Sequence, residues 1–158
     1  MVIATTDDLV RADVDALLSH LVSDPSVRRG PIGCIGYCNG VRYLLRTMSQ
    51  RPDLFAAGAG LHPSFCVSSD ADSPHHCISS IKGELYFAFG ESDHVASVEH
   101  NRPLIDEIAR LGDRASIDVI PGADHGFAVF GPNYHESAAI QSHAKTISLF
   151  KRALATFA

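Results

Sequence analysis

The chain has 158 residues, 46% of them hydrophobic and 20% charged, with a formal net charge of −5. Those totals fit one globular domain with its own core. They argue against nucleic acid as the main partner, and no basic run appears. No apolar run approaches the roughly 20 residues of a membrane span. The opening MVIATTDDLV has neither the basic region nor the apolar core of a secretory signal. Cys34, Cys38, Cys66 and Cys77 are too few and too irregular for a disulfide scaffold. A cytoplasmic protein with reduced thiols is therefore expected.

In chain order, a first helix is predicted from Thr5 to about Leu21. Thr5, Thr6, Asp7 and Asp8 offer a cap and an acidic first turn, and Val10, Val14, Leu17 and Leu21 make an apolar stripe. Asp24-Pro25 ends it. A strand follows at Ile32–Gly36, then a helix from Asn39 to about Gln50 with Val41, Leu44, Leu45 and Met48 on one face. Ala56–Leu61 reads as a short strand of small residues. Phe65–Ile81, rich in Ser, Asp and His, reads as a surface excursion beside a site or as a plain exposed loop. Glu84–Gly90 is a buried strand, and Val98 to about Leu111 a helix facing inward through Leu104, Ile108 and Leu111, with Gly112 as its stop. Ser116–Ile120 is the last strand, and Pro121–Pro132 a loop. A closing helix runs from about Tyr134 to Thr156, with Ile140, Ala144, Ile147 and Leu154 inward. Alternating strands and helices define an α/β fold: a mostly parallel sheet of about four strands with flanking helices.

The stretch PIGCIGYCNG, Pro31–Gly40, is the most informative. It runs from an apolar strand through a tight turn into a helix, the context of a G-x-S-x-G nucleophile elbow, with Cys38 in the serine's place. Gly36 and Gly40 are expected where a Cβ would collide with the neighbouring strand or helix. The helix N-terminus beside the sulfur favours a thiolate.

Two further residues lie at carboxyl ends of strands, where sites in such sheets are built. Asp93 follows ELYFAFG, and His125 follows the last strand in PGADHGF. The order nucleophile, acid, histidine is that of α/β-hydrolases. Cys38 then attacks an acyl carbon, His125 takes its proton, and Asp93 orients the imidazole. The backbone N–H of Asn39 donates to the oxyanion. Asp124 is a rival acid and His94 a rival base. Read separately, Asp93 is a turn or cap residue and His125 a turn residue.

These segments resemble the dienelactone hydrolase family of α/β-hydrolases. GYCNG around Cys38, GLHPSF at Gly60–Phe65, IKGELYFAFGESDHV at Ile81–Val95 and PGADHGFAVFG at Pro121–Gly131 carry the resemblance, in the expected order, over nearly all the chain from Gly30 on. It implies hydrolysis of a small ester, lactone or thioester by a Cys38–His125–Asp93 triad, with no cofactor and no metal. His62, with Tyr37 and Phe127, is expected to line the substrate pocket.

The chain also departs from the family pattern. Val41 replaces a second elbow glycine. Val129 and Phe130 stand where lactone-hydrolysing members are thought to place an arginine for a substrate carboxylate, and Arg42 is only a weak substitute. The resemblance covers the later part of the fold, so residues 1–158 are expected to form a single, partial α/β-hydrolase domain. The early strands have no counterpart, nor does the loop that gives a second oxyanion donor. The strand IGCIGY then has an open edge, which a homodimer or a missing N-terminal segment would cover. Two competing readings remain. One is a catalytically impaired interaction or oligomerisation module. The other is a zinc or redox protein using Cys34 and Cys38 with His75, His76 or Cys77.

Overall fold

The structure, a computed structural model, describes residues 5–155. It divides into two compact units, Met1–Gly30 and Pro31–Ala158. The first contains α1 (Asp7–Ser23). Thr6 caps it by accepting the Leu9 N–H at 3.3 Å, and Asp7 and Asp8 lie in its positive first turn. The helix ends at Asp24, whose own N–H closes on the His20 carbonyl. None of its residues is buried: Val10, Val14 and Leu21 are half-buried, and Leu17 is exposed.

The second unit is a four-stranded sheet of β1 (Ile32–Tyr37), β2 (Phe55–Leu61), β3 (Glu84–Gly90) and β4 (Ala115–Ile120). The strands stand in that order and every pairing is parallel. Parallel strands need crossovers, and helices supply them: α2 (Gly40–Gln50) joins β1 to β2 and α3 (Arg102–Ala109) joins β3 to β4. A last helix, α4 (Glu136–Ala155), follows β4. Among the described residues β1 pairs only with β2, and no strand pairs with its other edge.

Strand alternation sorts the core onto two faces. Leu85, Phe87 and Phe89 join Val41, Leu45, Met48, Leu104 and Ile108 on one face. Tyr86 and Ala88 join Ala57, Ala59, Leu61, Phe127, Leu149 and Ala153 on the other. Both faces are covered, which is why these strands read as continuous apolar runs.

Three sequence expectations need correction. Phe65–Ile81 is no plain surface loop. It carries a 3₁₀ helix, Pro74–Ser80, whose Pro74, His75 and Ile78 are buried. Helix α3 starts later than Val98, because Asn101 turns back first: its N–H bonds the Ser97 carbonyl and its side-chain amide donates to the Ala96 carbonyl at 2.9 Å. Pro103 then suits the first helical turn.

The third correction concerns α4. Ile140, Ala144 and Ile147 are exposed, and Leu154 is half-buried. The buried face is Ala138, Ala139, Ser142, Thr146, Leu149 and Ala153. Small side chains let the helix lie close to the alanine-rich face of the sheet. The two hydroxyls can be buried because each bonds within its own helix, Ser142 to the Ala139 carbonyl at 3.1 Å and Thr146 to the Ser142 carbonyl at 2.9 Å. The predicted end at Thr156 lies outside the described residues.

The revised face makes a direct comparison. Leu149→Ala should lose about 2–5 kcal/mol of stability, whereas Ile147→Gln should change it by less than about 0.5 kcal/mol. Urea unfolding of the two variants beside the parent measures both; equal losses would restore the original face.

Candidate active site

The site begins where β1 ends. Cys38 has φ 51°, a left-handed conformation unfavourable for a side chain with a Cβ. Its amide donates to the Leu61 carbonyl at 3.1 Å, and its carbonyl accepts from Val41 and Ser64, each at 3.2 Å. This pinned turn aims the sulfur away from the sheet. Gly36 is needed here, since a Cβ would come within 2.7 Å of the Gly40 carbonyl oxygen. Gly40 does not share that role: a Cβ there meets nothing within 4 Å.

Asp93 lies in the loop after β3 and His125 in the loop after β4. His125 Nε2 is 3.0 Å from Cys38 Sγ, and Nδ1 is 2.9 Å from Asp93 Oδ2. The other Asp93 oxygen accepts the N–H groups of Val95 and Ala96 at 2.9 and 2.8 Å. The carboxylate is 5% exposed. Its rivals pair with one another: Asp124 Oδ1 lies 2.7 Å from His94 Nδ1 and accepts the His125 N–H at 2.6 Å. The His94 hydrogen bond is the first cause of the Asp124 carboxyl falling to about 2.

The electrostatics follow from these contacts. Burial pushes the Cys38 thiol up. Hydrogen bonds from Ser64, His125 and the Asn39 N–H, with the His125 charge, outweigh it, so the thiol lies below its ordinary value. His125 shows the mirror image: burial pushes it down, and Cys38 and Asp93 raise it above the ordinary imidazole value. By contrast, burial alone raises the Cys34 thiol to about 12. Cys66 also reaches about 12, with burial again the main cause.

The residues expected to line a pocket are placed differently. His62 and Phe127 are 1% and 0% exposed and pack beneath the catalytic candidates. The His62 ring meets His125 edge-on at 5.2 Å and Phe127 at 5.3 Å. Tyr37 is half-buried, with its hydroxyl 3.0 Å from His143 Nε2. Asn39 is the N-cap of α2. Among the residues weighed as a zinc set, His75 is bonded to Ser73 and Cys77 to Arg46, and no three or more His, Cys, Asp or Glu of the described residues come together to hold a metal ion.

Sequence reasoning missed Ser64, whose hydroxyl is 3.2 Å from Cys38 Sγ, and His143. Ser64 could have been found: it lies just beyond β2, the neighbour of the elbow strand, so its loop must abut Cys38.

Known proteins of similar sequence and structure bear on this arrangement. The model of the dienelactone hydrolase family matches residues 1–154. A Synechocystis sp. protein provisionally named carboxymethylenebutenolidase is 26% identical, over 95% of this chain and 62% of its own length. Dienlactone hydrolase 1 of Gibberella moniliformis is 28% identical over 78% of this chain and 43% of its own. A solved Klebsiella pneumoniae structure, provisionally named a dienelactone hydrolase, superposes with a TM-score of 0.78 at 20% identity, covering 93% of this chain and 62% of that one. The chain thus spans less than two thirds of these relatives, and the structural likeness shows an α/β-hydrolase fold.

The buried His62 gives the site a pH signature. Burial, then the His125 charge, pushes its pKa down to about 4, and unfolding returns it to about 6.5. Between those values the unfolded chain binds the extra proton. His62 therefore contributes fully above about pH 6.5, and stability falls as the pH drops toward 4, by up to about 3 kcal/mol. Urea midpoints at about pH 7 and about pH 4.5 should lie closer together in His62→Phe than in the parent. An unchanged gap would rule this out.

Proposed function

This chain belongs to the dienelactone hydrolase family, and we propose that it hydrolyses small esters, lactones or thioesters through a Cys38–His125–Asp93 triad. The observation that carries the reading is the unbroken hydrogen-bond chain from Cys38 Sγ through both nitrogens of His125 to Asp93. It joins the ends of three strands in the order nucleophile, base, orienting acid.

In the proposed reaction His125 Nε2 takes the Cys38 proton. The thiolate attacks the acyl carbon, an S–C bond forms, and the carbonyl pair moves to oxygen, where the Asn39 N–H donates to it. Collapse breaks the bond to the leaving group, which takes the proton from His125. Water then gives a proton to His125 and attacks the thioester. The S–C bond breaks, releasing the acid and restoring the thiolate–imidazolium pair. Asp93 can serve only the ring, because its second oxygen is held by two backbone N–H groups.

The rim favours uncharged substrates. Phe65, Val129 and Phe130 are exposed apolar residues in the loops carrying Ser64 and His125. Phe130 is 90% exposed, and its ring lies 4.7 Å from that of Tyr134, tilted by 33°. Neutral acyl esters should therefore be preferred to carboxylate-bearing lactones.

Rapid mixing with p-nitrophenyl butyrate tests the reading. A burst of nitrophenol should accompany a butyryl adduct on Cys38, located by mass spectrometry. Cys38→Ala should abolish both, and Asp93→Asn should lower turnover by about 10²–10⁴-fold. An adduct elsewhere, or turnover indifferent to Cys38, would refute the mechanism.

A further inference from the structure

We propose that Ser64 is a catalytic residue of this site, its hydroxyl donating a hydrogen bond to the Cys38 sulfur and holding the thiolate jointly with His125. This rests on the reading of Cys38 as nucleophile.

The geometry carries it. Ser64 Oγ lies 3.2 Å from Sγ, and the residue is 2% exposed. Its amide also donates to the Cys38 carbonyl at 3.2 Å, so Ser64 grips the elbow residue by backbone and side chain together. The turn that delivers it is bent at both ends. His62 and Phe65 both have positive φ, 41° and 56°, and Pro63 between them fixes its own φ. Non-glycine residues keep such conformations only where their surroundings over-determine them, and such strain gathers at functional sites.

The surroundings here are specific. The His62 N–H bonds the Ala88 carbonyl at 2.8 Å. Buried Asn101 donates to the Pro63 carbonyl at 3.4 Å and to the Ala96 carbonyl at 2.9 Å. Asn101 thereby joins the Ser64 turn to the loop that holds Asp93. The turn buries Ser64 against the sulfur while its neighbour Phe65 stays exposed.

The chemistry needs a donor there. A half-buried sulfur anion loses water's hydrogen bonds and is stabilised by donors that replace them. His125 donates through Nε2 only while protonated. The serine hydroxyl donates at any pH in the working range. Ser64, together with the Asn39 N–H, therefore sustains the thiolate after the imidazolium has lost its proton, and part of the Cys38 reactivity should survive loss of the histidine.

The isosteric pair Ser64→Thr and Ser64→Val isolates the hydroxyl, with Ser64→Ala as a third variant that leaves the backbone hydrogen bond intact. The readout is the pH midpoint of Cys38 alkylation by iodoacetamide, followed by mass spectrometry. Relative to the parent, Val and Ala should raise the midpoint by about one pH unit, and Thr should restore it. Val combined with His125→Ala should raise it further than His125→Ala does. If His125→Ala raises the midpoint but Val and Ala leave it unchanged, Ser64 is only a packing residue. A lowered midpoint would make its oxygen an acceptor for the neutral thiol, also overturning the proposal. A parent Cys38 titrating like an ordinary thiol would overturn the nucleophile reading, and Ser64's role with it.

Discussion

The backbone of Cys38 is the constraint on which the site depends. A cysteine at φ 51° does not hold that conformation by preference. It is held because its amide is tied to β2, its carbonyl is tied to α2 and to the Ser64 turn, and Gly36 leaves the following turn room to pass. Each tie comes from a different element. The elbow is thus a product of the packed sheet, and no isolated β1–α2 peptide would be expected to keep it.

Parallel topology does the rest. When four strands run the same way, their carboxyl ends share one edge, and each following loop can place a side chain there. The β1 turn contributes Cys38, the β2 turn Ser64 and His62, the β3 loop Asp93, and the β4 loop His125. Residues separated by 87 positions therefore come within 3.0 Å. The same edge explains His62. Packed edge-on to His125 and nearly fully buried, it stays neutral. It can support the ring beneath an imidazolium without placing a second positive charge beside it.

What could be read from sequence divides along physical lines. The four strands, the α2 stripe and the residues at the strand ends were legible because each is marked locally, by an apolar run, a 3.6-residue period or a turn signal. The family resemblance and the family match agree on the fold. The face of α4 was not legible. It contains two apolar stripes, and the bulkier one, through Ile140 and Ile147, is exposed, because a sheet face built of alanine needs small partners. The 3₁₀ helix at Pro74–Ser80 was hidden because its burial depends on partners elsewhere in the chain, as with Ile78 in the core cluster with Leu45 and Met48 of α2. Ser64 carries no local mark in GLHPSF; only its place just beyond β2, the neighbour of the elbow strand, points to Cys38.

The choice between two neighbouring carboxylates shows how geometry decides what adjacency cannot. Asp124 precedes His125 directly, yet its side chain caps the His125 backbone N–H and turns outward to His94. Asp93 is 32 residues away and reaches the ring. A side chain bonded to its neighbour's backbone leaves that neighbour's side chain free to point elsewhere, so Asp124 fixes where His125 sits while Asp93 fixes how its imidazole is turned. Solvation separates them as well. Asp124 lies in a partly exposed pair with His94, where water screens its charge. Asp93 is sealed from solvent with its second oxygen already satisfied. A buried carboxylate with one oxygen left for one imidazole nitrogen is the arrangement that stabilises charge on that imidazole most directly.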